Sequence, residues 1–144
     1  MTDEAFAPQG DLRLLNSAVA QRLLTSSIPA RYAYNASDGT PRILSSWFHW
    51  TGDELVMPTF IAAPHACHPA RRINALRARP DIAVSIDTET SPPEVLLLRG
   101  QATVTEVDGI PTEYVQAAVR YLGSEAADPY LDGLNGRTVR AADT

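Results

Sequence analysis

The feature that most constrains this chain is Ser37-Asp38-Gly39-Thr40, placed between two runs of strand-forming residues. Asp-Gly accommodates the positive φ that primed hairpin turns demand, so the chain is expected to double back here. The run before it, Arg31-Tyr32-Ala33-Tyr34-Asn35-Ala36, is aromatic at alternate positions, the period of a strand with one face on a core. The return run extends from Arg42 to Trp50, and after Thr51-Gly52-Asp53 comes a third apolar run, Leu55-Val56-Met57. Three consecutive antiparallel strands would form a meander.

Ahead of the meander, Leu12, Leu15, Val19 and Leu23 recur at helical spacing behind Asp11, a good N-cap. One amphipathic helix is predicted, ending near Ser26-Ser27 before Pro29. Ile61 to Pro69 carries prolines and no period, the pattern of a loop. From Ala70 to Arg79, Ile73 and Leu76 sit among arginines and predict a short basic helix that Pro80 ends. Two strands should follow: Ile82 to Asp87, and Val95 to Val107 with a bulge or bend at Gly100. Pro111 opens a helix containing Tyr114, Val115, Ala118, Val119 and Leu122, closed by Gly123. Asp128 to Thr144 is weakly patterned, with only a poor strand candidate from Leu134 to Arg140. The order α-β-β-β-α-β-β-α has no βαβ alternation, so the expected fold is mainly β, an antiparallel barrel with peripheral helices.

A chain of 144 residues fits one domain. The expected unit spans 1–144, with 1–10 and 128–144 as flexible ends. A net charge of -5 argues against a nucleic-acid footprint. No apolar run approaches the roughly 20 residues of a membrane span. Met1-Thr2-Asp3-Glu4 has neither the basic nor the apolar region of a signal peptide. A cytoplasmic location is the expectation, consistent with Cys67 as the only cysteine. All 12 basic residues are arginine, which excludes Schiff-base chemistry through lysine.

The element order, together with Asp38-Gly39-Thr40-Pro41-Arg42, Trp47-Phe48-His49-Trp50, Ala75-Leu76-Arg77-Ala78-Arg79-Pro80 and Leu96-Leu97-Leu98-Arg99-Gly100, resembles the pyridoxamine phosphate oxidase-like proteins. The likeness runs from about Leu12 to Gly123 and is closest to the small actinobacterial branch that uses flavin or deazaflavin coenzymes. It implies a split antiparallel β-barrel of the FMN-binding type and a homodimer with the coenzyme in a cleft between subunits. FMN or the deazaflavin coenzyme would be bound, with a small-molecule substrate exchanging a hydride with it. A basic residue before a Leu-Arg-x-x-Pro turn holds the phosphate in that family; Arg72 occupies that place, with Arg71 beside it. A guanidinium suits the task because it forks onto phosphate oxygens and stays charged. By spacing alone, Arg71, Arg72, Arg77 and Arg79 would be read as the solvated face of a helix.

The ring of the family's coenzyme rests on strands that correspond here to Ser45, Ser46, Trp47 and Phe48 and to Met57, Pro58 and Thr59. Pattern alone reads Trp47, Phe48 and Met57 as core. The family's vitamin B6 oxidases grip substrate with a C-terminal Arg- and His-containing segment, and nothing after Gly123 resembles it. Vitamin B6 oxidation is therefore disfavoured, and closure of the barrel falls to a partner subunit or to the poor strand near the C-terminus. No catalytic acid or base stands out, so a non-catalytic flavin or deazaflavin carrier is the alternative to a redox enzyme. His65-Ala66-Cys67-His68 lacks the distant second ligand pair of a zinc site, so no metal is expected. Sequence adjacency alone does not make Cys67 a nucleophile. His49 is read as a satisfied barrel histidine.

Overall fold

The computed structural model describes residues 10–60, 69–135 and 140–143. Asp11 and Ser17 divide the expected first helix into two pieces. The Asp11 carboxylate accepts from Arg13 N (2.9 Å) and caps a 3-10 turn, Leu12–Asn16. Ser17 then caps α1 (Ala18–Leu24), its hydroxyl accepting from Ala20 N at 3.2 Å. Two good N-caps within seven residues satisfy two sets of orphan donors, and one continuous helix gives way to two short ones.

Strands β1 (Ala30–Asn35) and β2 (Pro41–Ser46) form the expected hairpin, in register from Ala30 opposite Ser46 to Asn35 opposite Pro41. Its turn is wider than a two-residue primed turn. Gly39 N donates to Ala36 O and Ala36 N to Thr40 O, both at 2.9 Å, and only Gly39 has a positive φ, +82°. This is the three-residue connection with a left-handed third position. Asp38, freed from positive φ, accepts from Thr40 N at 2.9 Å.

The meander stops after two strands. Among the described residues, β3 (His49–Trp50) and β4 (Leu55–Val56) pair only with each other, and β5 (Pro58–Phe60) belongs to a third sheet. Instead, β1 takes β6 (Asp81–Asp87) as its other neighbour, and β6 pairs with β7 (Val95–Gln101). The four-stranded sheet therefore runs β2-β1-β6-β7, all antiparallel. The β6–β7 ladder continues in regular register through Ile82 opposite Gly100, with no bulge there; the chain leaves the ladder after Gln101, and the expected long strand resumes as β8 (Thr105–Asp108).

Two helices follow, α3 (Thr112–Leu122) and α4 (Ser124–Asn135), separated by Gly123 at φ +83°. The α4 segment reads as weakly patterned because Pro129 and Gly133 lie within it, and both disfavour helix by propensity. Tertiary packing overrides that: buried Ala127 meets Tyr114 and Ala118 of α3. β9 (Arg140–Asp143) begins where the poor strand candidate ends and pairs with both β5 and β8. It joins two segments far apart in sequence, although among the described residues the sheets do not link into one closed barrel.

The main core lies under the inner face of the four-stranded sheet. Tyr32, Val84 and Ile86 point inward onto Leu23 and Leu24 of α1, with Phe48 and Met57 filling the same cluster. Burial of each such side chain contributes roughly 1.5–3 kcal/mol. Helix α2 (Pro69–Ala78) packs against β1 and buries Ile73, Ala75 and Leu76.

Candidate functional site

The four arginines of the α2 region have three different fates. Arg77 pairs with Glu106 on β8 at 3.4 Å. Arg79 Nη1 donates to Ala36 O at 2.8 Å and Ser37 O at 3.1 Å, tying the end of α2 to the β1–β2 turn. Arg71 and Arg72 line a groove between α2 and the hairpin, about 520 Å³ in volume. Its other walls are Tyr34, residues 36–38, Arg42 and Ala75. Buried Ile73 and Leu76 set the helix's rotation, which leaves the flanking arginines at the groove.

Arg72 is the half-buried member. Its Nε is buried and has no hydrogen-bond partner among the described residues. A shielded guanidinium N–H with no acceptor is costly, and it fits a site that receives an anionic oxygen. Burial pushes the Tyr32 phenol above its ordinary pKa while the Arg72 charge pulls against it, which places that charge close to the core edge. Sequence reasoning missed Arg42, which enters from the start of β2. Its signal was available in the Asp-Gly-Thr-Pro-Arg string, but only the fold places that turn opposite α2. Asp38 also faces the groove. The Thr40 hydroxyl and N–H, then Arg42, hold its carboxyl below the ordinary carboxylate range. It is ionised at neutral pH, paired with Arg42 at 3.4 Å in a largely exposed contact.

None of Ser45, Ser46, Trp47, Phe48, Met57, Pro58 and Thr59 lines this groove. Ser45 is exposed on β2, and the Ser46 hydroxyl donates to Trp47 O at 2.8 Å. Trp47 stacks against Tyr121 (5.1 Å between centroids, 5° between planes) and Tyr114 (5.8 Å, 28°). Phe48 and Met57 are core residues, and Pro58 and Thr59 are buried at the start of β5. Strand β2 is nevertheless a sheet edge: no described strand pairs with its outer side.

Arg120 of α3 lies over the rings of Phe48 and Tyr121, 4.7 and 4.9 Å from their centroids. It donates to Ser26 O at 2.7 Å and to Phe48 O. Beside it, His49 is not satisfied as expected, since its Nδ1 is buried without a hydrogen-bond partner among the described residues. Desolvation, then the Arg120 charge, lower the His49 pKa, with Glu113 opposing.

A larger groove, about 590 Å³, opens at the outer ends of β1, β6 and β7. Among the described residues, one guanidinium, that of Arg99, lines it. Size alone would favour that groove as a ligand site. Convergent charge and the orphaned Arg72 Nε favour the smaller one. Among the described residues no His, Cys, Asp and Glu cluster could hold a metal ion, and no helix is long and apolar enough to cross a membrane. His65, Cys67 and His68 lie outside the described residues.

No protein-family model and no curated protein matches the chain. Solved structures do. An F420 reductase superposes with a TM-score of 0.58 at 21% identity, covering 85% of this chain and 90% of that one. A conserved hypothetical protein from Mycobacterium tuberculosis gives 0.57 at 17% identity, over 83% and 74%. An FAD and heme binding protein from Mycobacterium smegmatis gives 0.50 at 20% identity, over 89% of this chain and 65% of that one. The shared property is the fold, an antiparallel sheet with peripheral helices.

Proposed function

We propose that the groove between α2 and the β1–β2 hairpin anchors the phosphate of FMN or the deazaflavin coenzyme, and that the protein is an oxidoreductase for a small organic substrate. The observation that carries this reading is the buried Arg72 Nε, without a partner among the described residues, in a groove shared with Arg71 and Arg42. The bound coenzyme would supply the hydride chemistry; the chain's residues bind, orient and shield it. Arg72 and Arg42 would grip the phosphate from opposite walls. The ring would then lie along the free edge of β2 toward Ser45 and Ser46, roughly 10 Å from Arg42 at the rise of an extended strand. Trp47, Phe48, Met57, Pro58 and Thr59 would support that edge from behind. The likeness to an F420 reductase and to an FAD and heme binding protein supports a fold able to hold such a ring.

The reading includes a split-barrel dimer. On the outer sheet face, Ile43 and Leu97 are 70% and 71% exposed, with Ala33 and Ala83 between their strands. A second copy of the chain would cover them. A carrier is the second reading, favoured by one observation: the carboxyl group at the groove, Asp38, is engaged by Thr40 and Arg42 instead of standing free as an acid or base. Fluorescence titration with FMN and with the deazaflavin coenzyme tests binding, and turnover of enones or quinones separates enzyme from carrier. Absence of binding to both coenzymes removes the proposal. Light scattering that shows only monomer removes its dimeric part.

A further inference from the structure

We infer that the groove selects a phosphate dianion, the terminal phosphomonoester of its ligand, over a singly charged phosphodiester, and that Arg42 is the residue that makes the distinction. The inference rests on the reading that a coenzyme phosphate enters this groove, and it names the chemical class of that phosphate. Among the described residues, three guanidinium groups, Arg42, Arg71 and Arg72, face one carboxylate, Asp38, leaving two positive charges unbalanced. A phosphomonoester near neutral pH carries roughly -1.5 to -2 and presents three acceptor oxygens. Esterifying one of them removes a charge and an acceptor, so one guanidinium loses its partner.

Arg42 is placed for this by the hairpin. Arg79 clamps the turn through the carbonyls of Ala36 and Ser37, and Thr40 holds the Asp38 carboxylate through its N–H at 2.9 Å and hydroxyl at 2.5 Å. The wall carrying Arg42 is therefore fixed relative to α2, and an anion in the groove is met from both sides. Arg42 Nη1 donates to the Thr40 hydroxyl and to Pro41 O at 3.2 Å, and its Nη2 is the loosely held end. Its contact with Asp38 is long, 3.4 Å, and both side chains are about half exposed or more; such pairs are weak. A phosphate oxygen can take the place of the Asp38 carboxylate as the partner of Nη2 at little cost, while Nη1 stays on Thr40 and Pro41.

The test compares three flavins with the same ring: FMN, riboflavin 4′,5′-cyclic phosphate and riboflavin. Fluorescence titration of the wild-type protein should give FMN at least about tenfold tighter binding than the cyclic diester, the scale of one charge-assisted hydrogen bond. Arg42→Gln should shrink that gap to about threefold or less without changing riboflavin affinity. Arg42→Lys, which keeps the charge but loses the fork, should restore part of it. Equal affinity for FMN and the cyclic diester, or a gap that Arg42→Gln leaves intact, overturns the inference while the coenzyme reading stands. Tight binding of the deazaflavin coenzyme with none of FMN does the same. Failure of every flavin and of the deazaflavin coenzyme to bind overturns both.

Discussion

Two half-buried arginines, Arg120 on α3 and Arg72 on α2, occupy opposite situations. Arg120 donates to two carbonyls and lies over two aromatic rings. Arg72 has a buried Nε with no partner among the described residues. A charged group whose donors meet carbonyls within the chain contributes to stability. One whose donors are shielded but unspent costs stability and fits a ligand. Arginine content therefore does not locate the site; the accounting of guanidinium donors does.

The contrast is sharpest in stability. Arg120→Ala leaves the carbonyl of the fully buried Phe48 without its donor and removes two ring contacts. Urea unfolding should show a loss on the order of 2–4 kcal/mol. A loss below about 0.5 kcal/mol would erase the distinction between the two arginines.

Arg72→Ala should behave in the opposite way. Unfolding free energy should stay within about 0.5 kcal/mol of wild type, or rise, while coenzyme affinity falls roughly 10- to 100-fold. Unchanged affinity in a titration would show that the groove is not the phosphate site. A smaller effect is expected for Arg79→Ala, which touches the groove only through the hairpin carbonyls. Affinity for phosphorylated ligands should drop several-fold, to a lesser extent than with Arg72→Ala, and riboflavin affinity should not move.

The smallest effect concerns His49, next to Arg120. Its folded-state pKa lies below the ordinary histidine value of 6.5, so folding favours the neutral imidazole. That contribution is complete above the unfolded-state pKa and is lost as pH falls through 6.5 toward the folded value. Melting temperatures measured from pH 7.5 to 5.5 should decline less steeply for His49→Gln than for wild type. Parallel profiles would mean that His49 titrates alike in both states.

Local chemistry was legible where neighbours in sequence decide the outcome. The Asp38-Gly39 turn, the Pro80 stop after α2 and the Gly123 stop after α3 depend on residues a few positions apart, and each lies where expected. The widened turn, the divided first helix and the unbroken ladder through Gly100 were finer matters of hydrogen-bond competition. The α4 helix was hidden by Pro129 and Gly133, whose propensities say nothing of Ala127 packing on α3. In the groove, Arg71 and Arg72 could be singled out from the chain alone, whereas Arg42 is 29 residues or more away from them and became visible only in three dimensions.

By itself, the order of patterned segments determined that this protein is an antiparallel β structure with helices outside it, because hydrophobic period and turn residues act over short range. Tertiary structure alone decided that β1 pairs with β6, that β9 bridges β5 and β8, and that guanidinium groups from the hairpin and from α2 face each other. Those outcomes depend on which surfaces bury one another and which charges are left without partners. Both are sums over the whole fold, to which any one segment contributes only part.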